Sequence, residues 1–427
     1  MRDVMHTRMR VTRRAVLLGA GATLASPAIV RGAAVARVVV IGAGFGGATA
    51  AKYVKTWAPA IQVTLVEPAA QFVTCPYSNQ VLGGLRTMAS ITHAYTKLAR
   101  RVALVRDRAA AIDPDQRTVR LGGGRTLPYD RLIVSPGIDF RWGAIEGYDE
   151  TAIQAMPHAW KAGPQTVLLR RQLEAMRDGG TVLIVAPDNP YRCPPGPYER
   201  ASMIAWYLKS RKPKSKLVIL DAKDAFSKQG LFLDAWKRFY PDIIEWVPVS
   251  KGGKITKVDV KAMTVEDEFG TQHKADVANV IPPQFAGKVA RDAGLADPSG
   301  WCPVEPHSFE SSLRKGIHVV GDATSAAPMP KSGFVANNQG KVAAAAVVAL
   351  LAGKTPADAT WNNVCYSHVT PDYGFSVANV IHVAAGKFAE VPGSGGISPR
   401  DADDKFRKQE AQYGDGWYAS VTADIFG

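Results

Sequence analysis

Short, continuous apolar runs recur along the chain and are typical of strands buried in a parallel sheet. The runs lie at 36–41, 61–66, 129–134, 180–185, 216–221 and 316–320. A longer segment rich in Ala and Val, at about 334–352, predicts a helix. Outside the N-terminal region no stretch reaches about 18 clean apolar residues, so we expect no transmembrane segment. The pattern predicts an α/β fold.

A glycine-rich loop separates the first two predicted strands. Gly42, Gly44 and Gly47 fit the pattern G-x-G-x-x-G directly after the first run, and a predicted helix follows. Such glycines permit a tight turn, a close approach of backbone N–H groups to a pyrophosphate, and close packing of helix on strand. Glu67 lies 20 residues after Gly47, where a carboxylate can bind ribose hydroxyl groups. The segment predicts a dinucleotide-binding Rossmann unit.

Composition and charge exclude several classes of protein. A length of 427 residues suggests about two to four domains. With 46% hydrophobic and 21% charged residues, the chain is neither disordered nor fibrous. The formal net charge is +14, yet Lys and Arg are spread along the chain without a run of five. We therefore expect no nucleic-acid partner.

The first 33 residues are predicted to be a signal peptide. They hold six Arg and one Asp, and the pair Arg13-Arg14 precedes a short apolar stretch that ends in small residues. The adjacent arginines resemble a twin-arginine (Tat) signal, which predicts export of the folded protein to the periplasm with its cofactor bound. Disulfides are permitted in that compartment. A disordered basic tail and an uncleaved anchor are the alternatives.

Two later segments indicate which dinucleotide is bound. Residues 129–137 (YDRLIVSPG) and 316–323 (GIHVVGDA) resemble segments of the pyridine nucleotide–disulfide oxidoreductase superfamily, in the expected order. The resemblance implies FAD as cofactor, with Gly321 and Asp322 at its ribitol. The N-terminus of the helix at 334–352 would then favour a reduced, anionic flavin. Alternatively, that helix is simply a core helix and does not influence the flavin.

The second nucleotide site of such flavoproteins is expected to be missing. A strand starts at 180–185, but the segment 186–197, where a glycine loop belongs, contains five prolines. Proline removes backbone donors and fixes φ, whereas a phosphate cradle needs free N–H groups. We therefore expect no NAD(P)H binding. The strand at 216–221 indicates that the fold of this second unit persists.

The four cysteines are Cys75, Cys193, Cys302 and Cys365. None lies in a C-x-x-C motif, so a thioredoxin-type dithiol is excluded, and without C-x-x-C-H we expect no haem on this chain. No clustered Cys/His spacing suggests zinc, so we expect no metal site. Four cysteines allow three pairings, and the sequence alone does not choose among them.

Three cysteine-containing segments resemble the flavoprotein subunit of flavocytochrome c sulfide dehydrogenase. They are 72–79 (FVTCPYSN), 191–200 (YRCPPGPYER) and 363–367 (NVCYS). The resemblance implies that Cys75 is bonded through its sulfur to FAD and that Cys193 and Cys365 form a redox-active disulfide beside it. It also implies sulfide as the substrate and a small c-type cytochrome as the partner subunit. We interpret Cys302 as a buried thiol.

The resulting plan contains two Rossmann-like domains, the second without its nucleotide loop, and a small C-terminal α+β domain. The predicted segments are a signal peptide at 1–33, the first half of the FAD-binding domain at 34–150, a degenerate central domain at 151–285, the second FAD half at 286–355 and the C-terminal domain at 356–427.

Other functions remain open on this reasoning. A sulfide:quinone oxidoreductase shares the fold and the cysteine chemistry, but it needs an amphipathic membrane-docking end, and the segment 400–410 is charged. The further alternatives are a flavin electron-transfer subunit without its own sulfur substrate and a nicotinamide-dependent reductase. Aromatic residues near the C-terminus either form a cytochrome-docking face or close the core. They are Trp361, Tyr366, Tyr373, Phe375 and Phe388.

Overall fold

The fold is built on a five-stranded parallel sheet whose central strand is the first apolar run of the chain. The computed structural model describes residues 35–427, so the predicted signal peptide at 1–33 lies outside the described residues. Residues Ala36–Gly427 form one unit. The predicted limits between domains inside this unit stay predictions.

The first part of the described chain supplies most strands of this sheet. Its elements are β1 (Arg37–Ile41), α1 (Phe45–Trp57), β2 (Gln62–Val66), β3 (Gln71–Val73), α2 (Ser78–Leu82), β4 (Thr92–Ala94), β5 (Ala103–Val105), β6 (Ala109–Asp113), β7 (Thr118–Leu121), β8 (Thr126–Pro128), β9 (Arg131–Val134) and β10 (Ile138–Phe140). β1 pairs in parallel with β2 and β9, and β2 pairs with β5. Val38 and Val40 of β1 are fully buried, as expected for a strand covered on both faces.

The central part of the chain repeats this arrangement in a four-stranded parallel sheet. Its elements are α3 (Pro164–Ala175), β11 (Thr181–Ala186), α4 (Gly196–Arg211), β12 (Lys216–Asp221), α5 (Gln229–Phe239), β13 (Ile244–Val247), β14 (Ile255–Asp259), β15 (Thr264–Asp267), β16 (Gln272–Lys274) and β17 (Val277–Val280). The strand order is β13-β12-β11-β17, and β14 to β16 form a separate antiparallel sheet. The second Rossmann-like unit therefore persists, as predicted.

The chain then returns to the first sheet. The elements of this part are β18 (Gln284–Ala286), α6 (Lys288–Asp292), β19 (Cys302–Pro303), β20 (Ile317–Val319), β21 (Thr324–Ser325) and α7 (Gly333–Leu351). β20 pairs in parallel with β9 and completes the sheet order β20-β9-β1-β2-β5. Short 3-10 helices lie at Met88–Ile91, Leu98–Arg100, Ala152–Gln154, Val249–Lys251 and Gly321–Ala323.

Helix α7 has the length and the composition of a membrane-spanning helix, the one described helix that does. In the structure it packs against α1 instead. A Cβ atom on Gly340 would lie 2.5 Å from the carbonyl oxygen of Gly46, so the two helices approach closely. Ala343, Ala344 and Val347 are fully buried. These features are typical of a core helix.

The C-terminal part is an antiparallel sheet covered by one long helix. Its elements are β22 (Trp361–Thr370), β23 (Tyr373–Ala384), β24 (Lys387–Glu390), β25 (Gly396–Ile397) and α8 (Asp404–Phe426). Asp403 caps α8 by accepting the N–H of Phe406 at 2.8 Å. The prediction of an α/β fold with a small C-terminal α+β domain is confirmed.

Candidate functional site

The glycine loop between β1 and α1 has the geometry that its sequence predicts. Gly42 adopts φ +86°, a conformation that favours glycine, and a Cβ atom there would lie 2.2 Å from the carbonyl oxygen of Ser135. A Cβ atom on Gly47 would lie 1.9 Å from the carbonyl oxygen of Gly42. Gly44 immediately precedes α1, so the N-terminus of that helix opens at the loop. The loop can therefore hold a pyrophosphate.

Glu67 follows β2 directly, at the same edge of the sheet as the loop. Its Oε2 accepts the N–H of Ala43 at 2.9 Å, and its Oε1 accepts the N–H of Ala69 at 2.8 Å. The carboxylate is thus held against the glycine loop. A contact between Glu67 and a ribose stays a prediction.

Gly321 and Asp322 follow β20 and lie beside a cavity at the start of α7. Gly321 adopts φ +80°, and its N–H donates to Oε1 of Gln339 on α7 at 2.7 Å. Burial raises the pKa of Asp322, while the Arg192 guanidinium, whose Nη1 lies 4.0 Å from its carboxylate, lowers it. The cavity is small, and its lining includes both residues together with Ser332 and Val335. These groups fit an FAD cofactor.

Lys331 connects this cavity to the central unit. Its Nζ donates to the carbonyl oxygens of Asp322, at 2.9 Å, and Thr324, at 2.6 Å. Its own carbonyl oxygen accepts the backbone N–H of Cys193 at 2.8 Å. Burial lowers the pKa of Lys331 to about 8. Cys193 is therefore held next to the residues that line the predicted flavin site.

The backbone around Cys193 fixes the position of its sulfur. Cys193 adopts φ +59°, in the left-handed region that non-glycine residues seldom occupy. Its carbonyl oxygen accepts the N–H of Gly196, the first residue of α4. A Cβ atom on Gly196 would lie 3.1 Å from the sulfur of Cys193, so glycine leaves room for that thiol.

The structure brings three of the four cysteines together. The sulfur of Cys193 lies close enough to Cys365, on β22, and to Cys75, after β3, for both to influence its charge. Burial raises the pKa of Cys193, and it raises that of Cys365 as well. Cys75 donates its S–H to the carbonyl oxygen of Trp160 at 3.3 Å. All four cysteines have free thiols in the structure, so the disulfide between Cys193 and Cys365 stays a prediction.

Cys302 stands apart from this group as a buried thiol, in agreement with its interpretation from the sequence. It lies at the start of β19 with no exposed surface. Burial raises the pKa of its thiol to about 12. A thiol in this state is a poor nucleophile at neutral pH.

Two charged residues near the cysteine pair were not singled out by the sequence reasoning. Glu199 lies in the first turn of α4, where its Oε2 accepts from Asn79 at 2.8 Å and its Oε1 accepts the N–H of His368 at 3.0 Å. Lys228 is buried just before α5 and donates to the carbonyl oxygen of Cys365 at 2.7 Å. Glu199 follows Cys193 by six residues, and this short spacing could have indicated that it lies near the cysteine pair. Nothing in the sequence around Lys228 indicates that it lies there.

The loop after β11 differs from the glycine loop of the first unit, as predicted. Asp221 ends β12 at the position that Glu67 has after β2, but it is fully buried. It accepts hydrogen bonds from Tyr198 at 2.6 Å and from Trp246 at 3.0 Å. Lys223 also contacts this carboxylate, at 2.5 Å. The acid is therefore occupied by the protein's own side chains.

The C-terminal aromatic residues mostly contribute to the core. Trp361 and Phe375 are buried, and Phe375 meets Phe232 of α5 edge to face at 4.7 Å between ring centroids. Phe388 packs edge to face on Trp361 at 5.4 Å. The interpretation as core is therefore confirmed for Trp361 and Phe375. Tyr366, Tyr373 and Phe388 are partly exposed, and a docking face that includes them stays a prediction.

Comparison with known proteins assigns the chain to a family. The model described as "Sulfide dehydrogenase [flavocytochrome c] flavoprotein chain, central" matches residues 166–282. The flavin-binding model of flavocytochrome c sulphide dehydrogenase matches 357–426, and a pyridine nucleotide-disulphide oxidoreductase model matches 36–163. Sulfide dehydrogenase [flavocytochrome c] flavoprotein chain from Chlorobaculum thiosulfatiphilum is 64% identical over 45 residues, 10% of this chain and 94% of that sequence. The chain belongs to the flavocytochrome c sulfide dehydrogenase flavoprotein family.

More distant relatives of this flavoprotein act on sulfide as well, according to their names. Sulfide-quinone reductase from Aquifex aeolicus is 26% identical over 69% of this chain and 70% of its own length. Sulfide:quinone oxidoreductase from mouse mitochondria is 23% identical over 71% of this chain and 69% of its own length. A crystal structure of the Aquifex aeolicus sulfide:quinone oxidoreductase matches with a TM-score of 0.69 at 20% identity, over 91% of this chain and 92% of that one. The family is one of sulfide-oxidising flavoprotein oxidoreductases.

Proposed function

We propose that this flavoprotein is the catalytic subunit of a periplasmic sulfide dehydrogenase that delivers electrons from sulfide to a c-type cytochrome. The observation that carries the proposal is the position of Cys193, whose N–H donates to Lys331 while Lys331 donates to Asp322. Cys365 lies close enough to Cys193 to influence its charge. A reactive cysteine pair thus lies beside the residues that fit FAD.

The chain's own residues would hold FAD from three directions. The loop with Gly42 and Gly47 accommodates the pyrophosphate, and Asp322 lies where the resemblance expects the ribitol. The resemblance places a covalent bond between the flavin and the sulfur of Cys75, which lies within electrostatic reach of Cys193. When bound, FAD accepts two electrons as a pair and releases them one at a time, as a haem acceptor requires.

Sulfide would react with the disulfide between Cys193 and Cys365 by thiol–disulfide exchange. HS⁻ attacks the sulfur of one cysteine, a new S–S bond forms as a persulfide, and the old S–S bond breaks. The bonding electron pair leaves on the other cysteine as a thiolate, so one negative charge is kept throughout. Glu199 lies near both sulfurs and can accept a proton from H₂S.

An anaerobic titration with sulfide tests this function. We expect the visible flavin absorbance of the wild-type protein to bleach with sulfide. Cys193→Ser and Cys365→Ser should keep their flavin but lose sulfide-driven bleaching, while dithionite still bleaches both. Cys302→Ser is the matched control and should behave as wild type. Bleaching of Cys193→Ser by sulfide at the wild-type rate would contradict the disulfide mechanism.

The cytochrome and quinone alternatives differ in the electron acceptor of the flavin. Family models of the flavocytochrome c sulfide dehydrogenase flavoprotein match residues 166–282 and 357–426, which supports the cytochrome. The quinone-linked names of several relatives support the second candidate.

Stopped-flow reoxidation separates the two acceptors. The sulfide-reduced flavoprotein is mixed anaerobically with a soluble c-type cytochrome or with a short-chain ubiquinone. We expect fast reoxidation by the cytochrome alone, and faster reoxidation by the quinone would favour the second candidate.

The proposed periplasmic location is tested separately. Replacing Arg13 and Arg14 by Lys should leave the protein in the cytoplasm, as fractionation and immunoblotting would show.

A further inference from the structure

Lys228 is a buried ammonium group whose hydrogen-bond partners are neutral. The residue is only 4% exposed, and its backbone adopts φ +63° immediately before α5. Its Nζ donates to the carbonyl oxygen of Cys365 at 2.7 Å and to Oγ of Ser367 at 2.8 Å. Burying a positive charge is costly unless an anion compensates for it. The charge of Lys228 therefore calls for a nearby anion at this site.

The two partners show which side of β22 the ammonium occupies. Side chains two residues apart on a strand point to the same face of the sheet. Because Nζ of Lys228 reaches the side-chain oxygen of Ser367, it lies on the face to which Cys365 also directs its sulfur. A positive charge at this place acts on the sulfur of Cys365, and it opposes the effect of burial on that thiol.

The acidic groups around Lys228 are engaged elsewhere. Glu199 of α4 accepts hydrogen bonds from His368 and Asn79. Glu410 of α8 accepts from Ser376 at 2.8 Å and also contacts Ser398 and Arg407. Both carboxylates influence the charge of Lys228 through space, as do Cys193 and Cys365, and Lys228 in turn acts on His368. Either Cys193 or Cys365 can gain a negative charge when the proposed disulfide opens, and Lys228 donates its hydrogen bonds to the strand that carries Cys365.

We propose that Lys228 is the counter-ion of the Cys365 thiolate and thereby directs sulfide to Cys193. The inference rests on the proposed function. HS⁻ forms an S–S bond with Cys193, the bond between Cys193 and Cys365 breaks, and its electron pair leaves on Cys365. A thiolate that is stabilised leaves faster, so the ammonium favours this direction over attack on Cys365. Lys228 acts through Cys365 and is a positioning residue.

Alkylation of the reduced holoprotein tests the counter-ion. The protein is reduced anaerobically with dithiothreitol and pulsed with iodoacetamide across a pH series, and modification of Cys365 is measured by peptide mass spectrometry. In Lys228→Met we expect the midpoint of Cys365 alkylation to rise by about one pH unit or more. Lys228→Arg should restore most of the shift because it keeps the charge. An equal midpoint in wild type and Lys228→Met would overturn the inference.

A second variant and a second measurement keep the test decisive if Lys228→Met does not fold. Ser367→Ala removes one neutral partner but keeps the ammonium, so its midpoint should stay near that of the wild type. In the wild type, a single turnover with sulfide followed by trapping should place the persulfide on Cys193. Persulfide on Cys365 instead would overturn the inference. If neither cysteine carries a persulfide and the flavin does not bleach, the proposed function is overturned. The pH dependence of Cys365 alkylation would still report whether Lys228 stabilises the thiolate.

Discussion

The hydroxyl of Tyr198 donates to the carboxylate of Asp221 across 2.6 Å, inside the central parallel sheet unit. Asp221 ends the second strand of this unit, the place from which an acid binds a nucleotide ribose in a functional Rossmann unit. Tyr198 belongs to α4, the helix that begins after the proline-rich loop. Helix α4 therefore begins directly after the loop that lacks a phosphate cradle. It also carries Tyr198, whose hydrogen bond engages the carboxylate of Asp221. Both halves of a nucleotide site have been altered together.

NADH and NADPH should therefore not reduce the flavin of the purified protein. The prolines after β11 cannot donate N–H groups to a pyrophosphate, and Asp221 is buried. Under anaerobic conditions the flavin spectrum should stay oxidised with either nucleotide, while dithionite bleaches it fully. Rapid bleaching by micromolar NADH would show that this unit still binds its cofactor.

In the Cys75→Ala background, where FAD is held without a covalent bond, Gly47→Ala should deplete the protein of FAD. The new Cβ atom would lie 1.9 Å from the carbonyl oxygen of Gly42, so the loop must shift away from the geometry that holds a pyrophosphate. Strain of about 1–3 kcal/mol at this site corresponds to a loss of binding between roughly fivefold and a hundredfold or more. The measurement is the ratio of flavin to protein absorbance after purification. Gly416→Ala is the matched control, because a Cβ atom there meets no atom within 4 Å.

Cys302 should resist alkylation in the folded protein. Its thiol has a pKa of about 12 because it is buried, so near pH 8 only about one molecule in ten thousand carries the reactive thiolate. The thiolate fraction rises tenfold for each pH unit until the pH reaches the pKa. Peptide mass spectrometry after iodoacetamide treatment should find Cys302 unmodified at pH 8 and fully modified in guanidinium chloride. Modification of the folded protein at the rate of a free thiol would show that Cys302 is accessible.

The sequence predicted the parts of the fold that depend on local patterns. The strand expected at 216–221 is β12 with the same limits, and the helix expected at about 334–352 is α7 at Gly333–Leu351. Glycine positions were predictable because the backbone tolerates no Cβ atom at Gly42 or Gly47. These features are determined by residues close together in the chain.

The rest of the site depends on contacts between residues that are distant in sequence. Lys228 and Cys365 are 137 residues apart, and only the docking of α5 on β22 brings them together. The continuation of α8 to Phe426 was not predicted either. The segment 400–410 was described only as charged, whereas the helix buries Tyr418, Ile425 and Phe426 further along. Charge at the start of a helix says little about the face that its last turns bury.

Cys75→Ala should convert a covalently bound flavin into an extractable one. Cys75 is half-buried after β3 and lies close to Cys193, beside the residues that fit FAD. A tether is useful outside the cytoplasm, where a lost FAD is not replaced. In the wild type, the flavin should stay with the acid-precipitated protein and fluoresce on a denaturing gel. In Cys75→Ala, nearly all of it should appear in the acid supernatant.

Cys302→Ser controls for the general loss of a cysteine and should keep its fluorescent band. The glycine loop and Asp322 are unchanged in Cys75→Ala, so that variant should still bind FAD non-covalently before the acid step. Its flavin spectrum and its sulfide-driven bleaching then report whether the bond to sulfur serves only to retain FAD. Release of all FAD from the wild type by acid would show that Cys75 forms no such bond. The reaction of sulfide with the disulfide between Cys193 and Cys365 does not depend on that bond, and the anaerobic sulfide titration tests it independently.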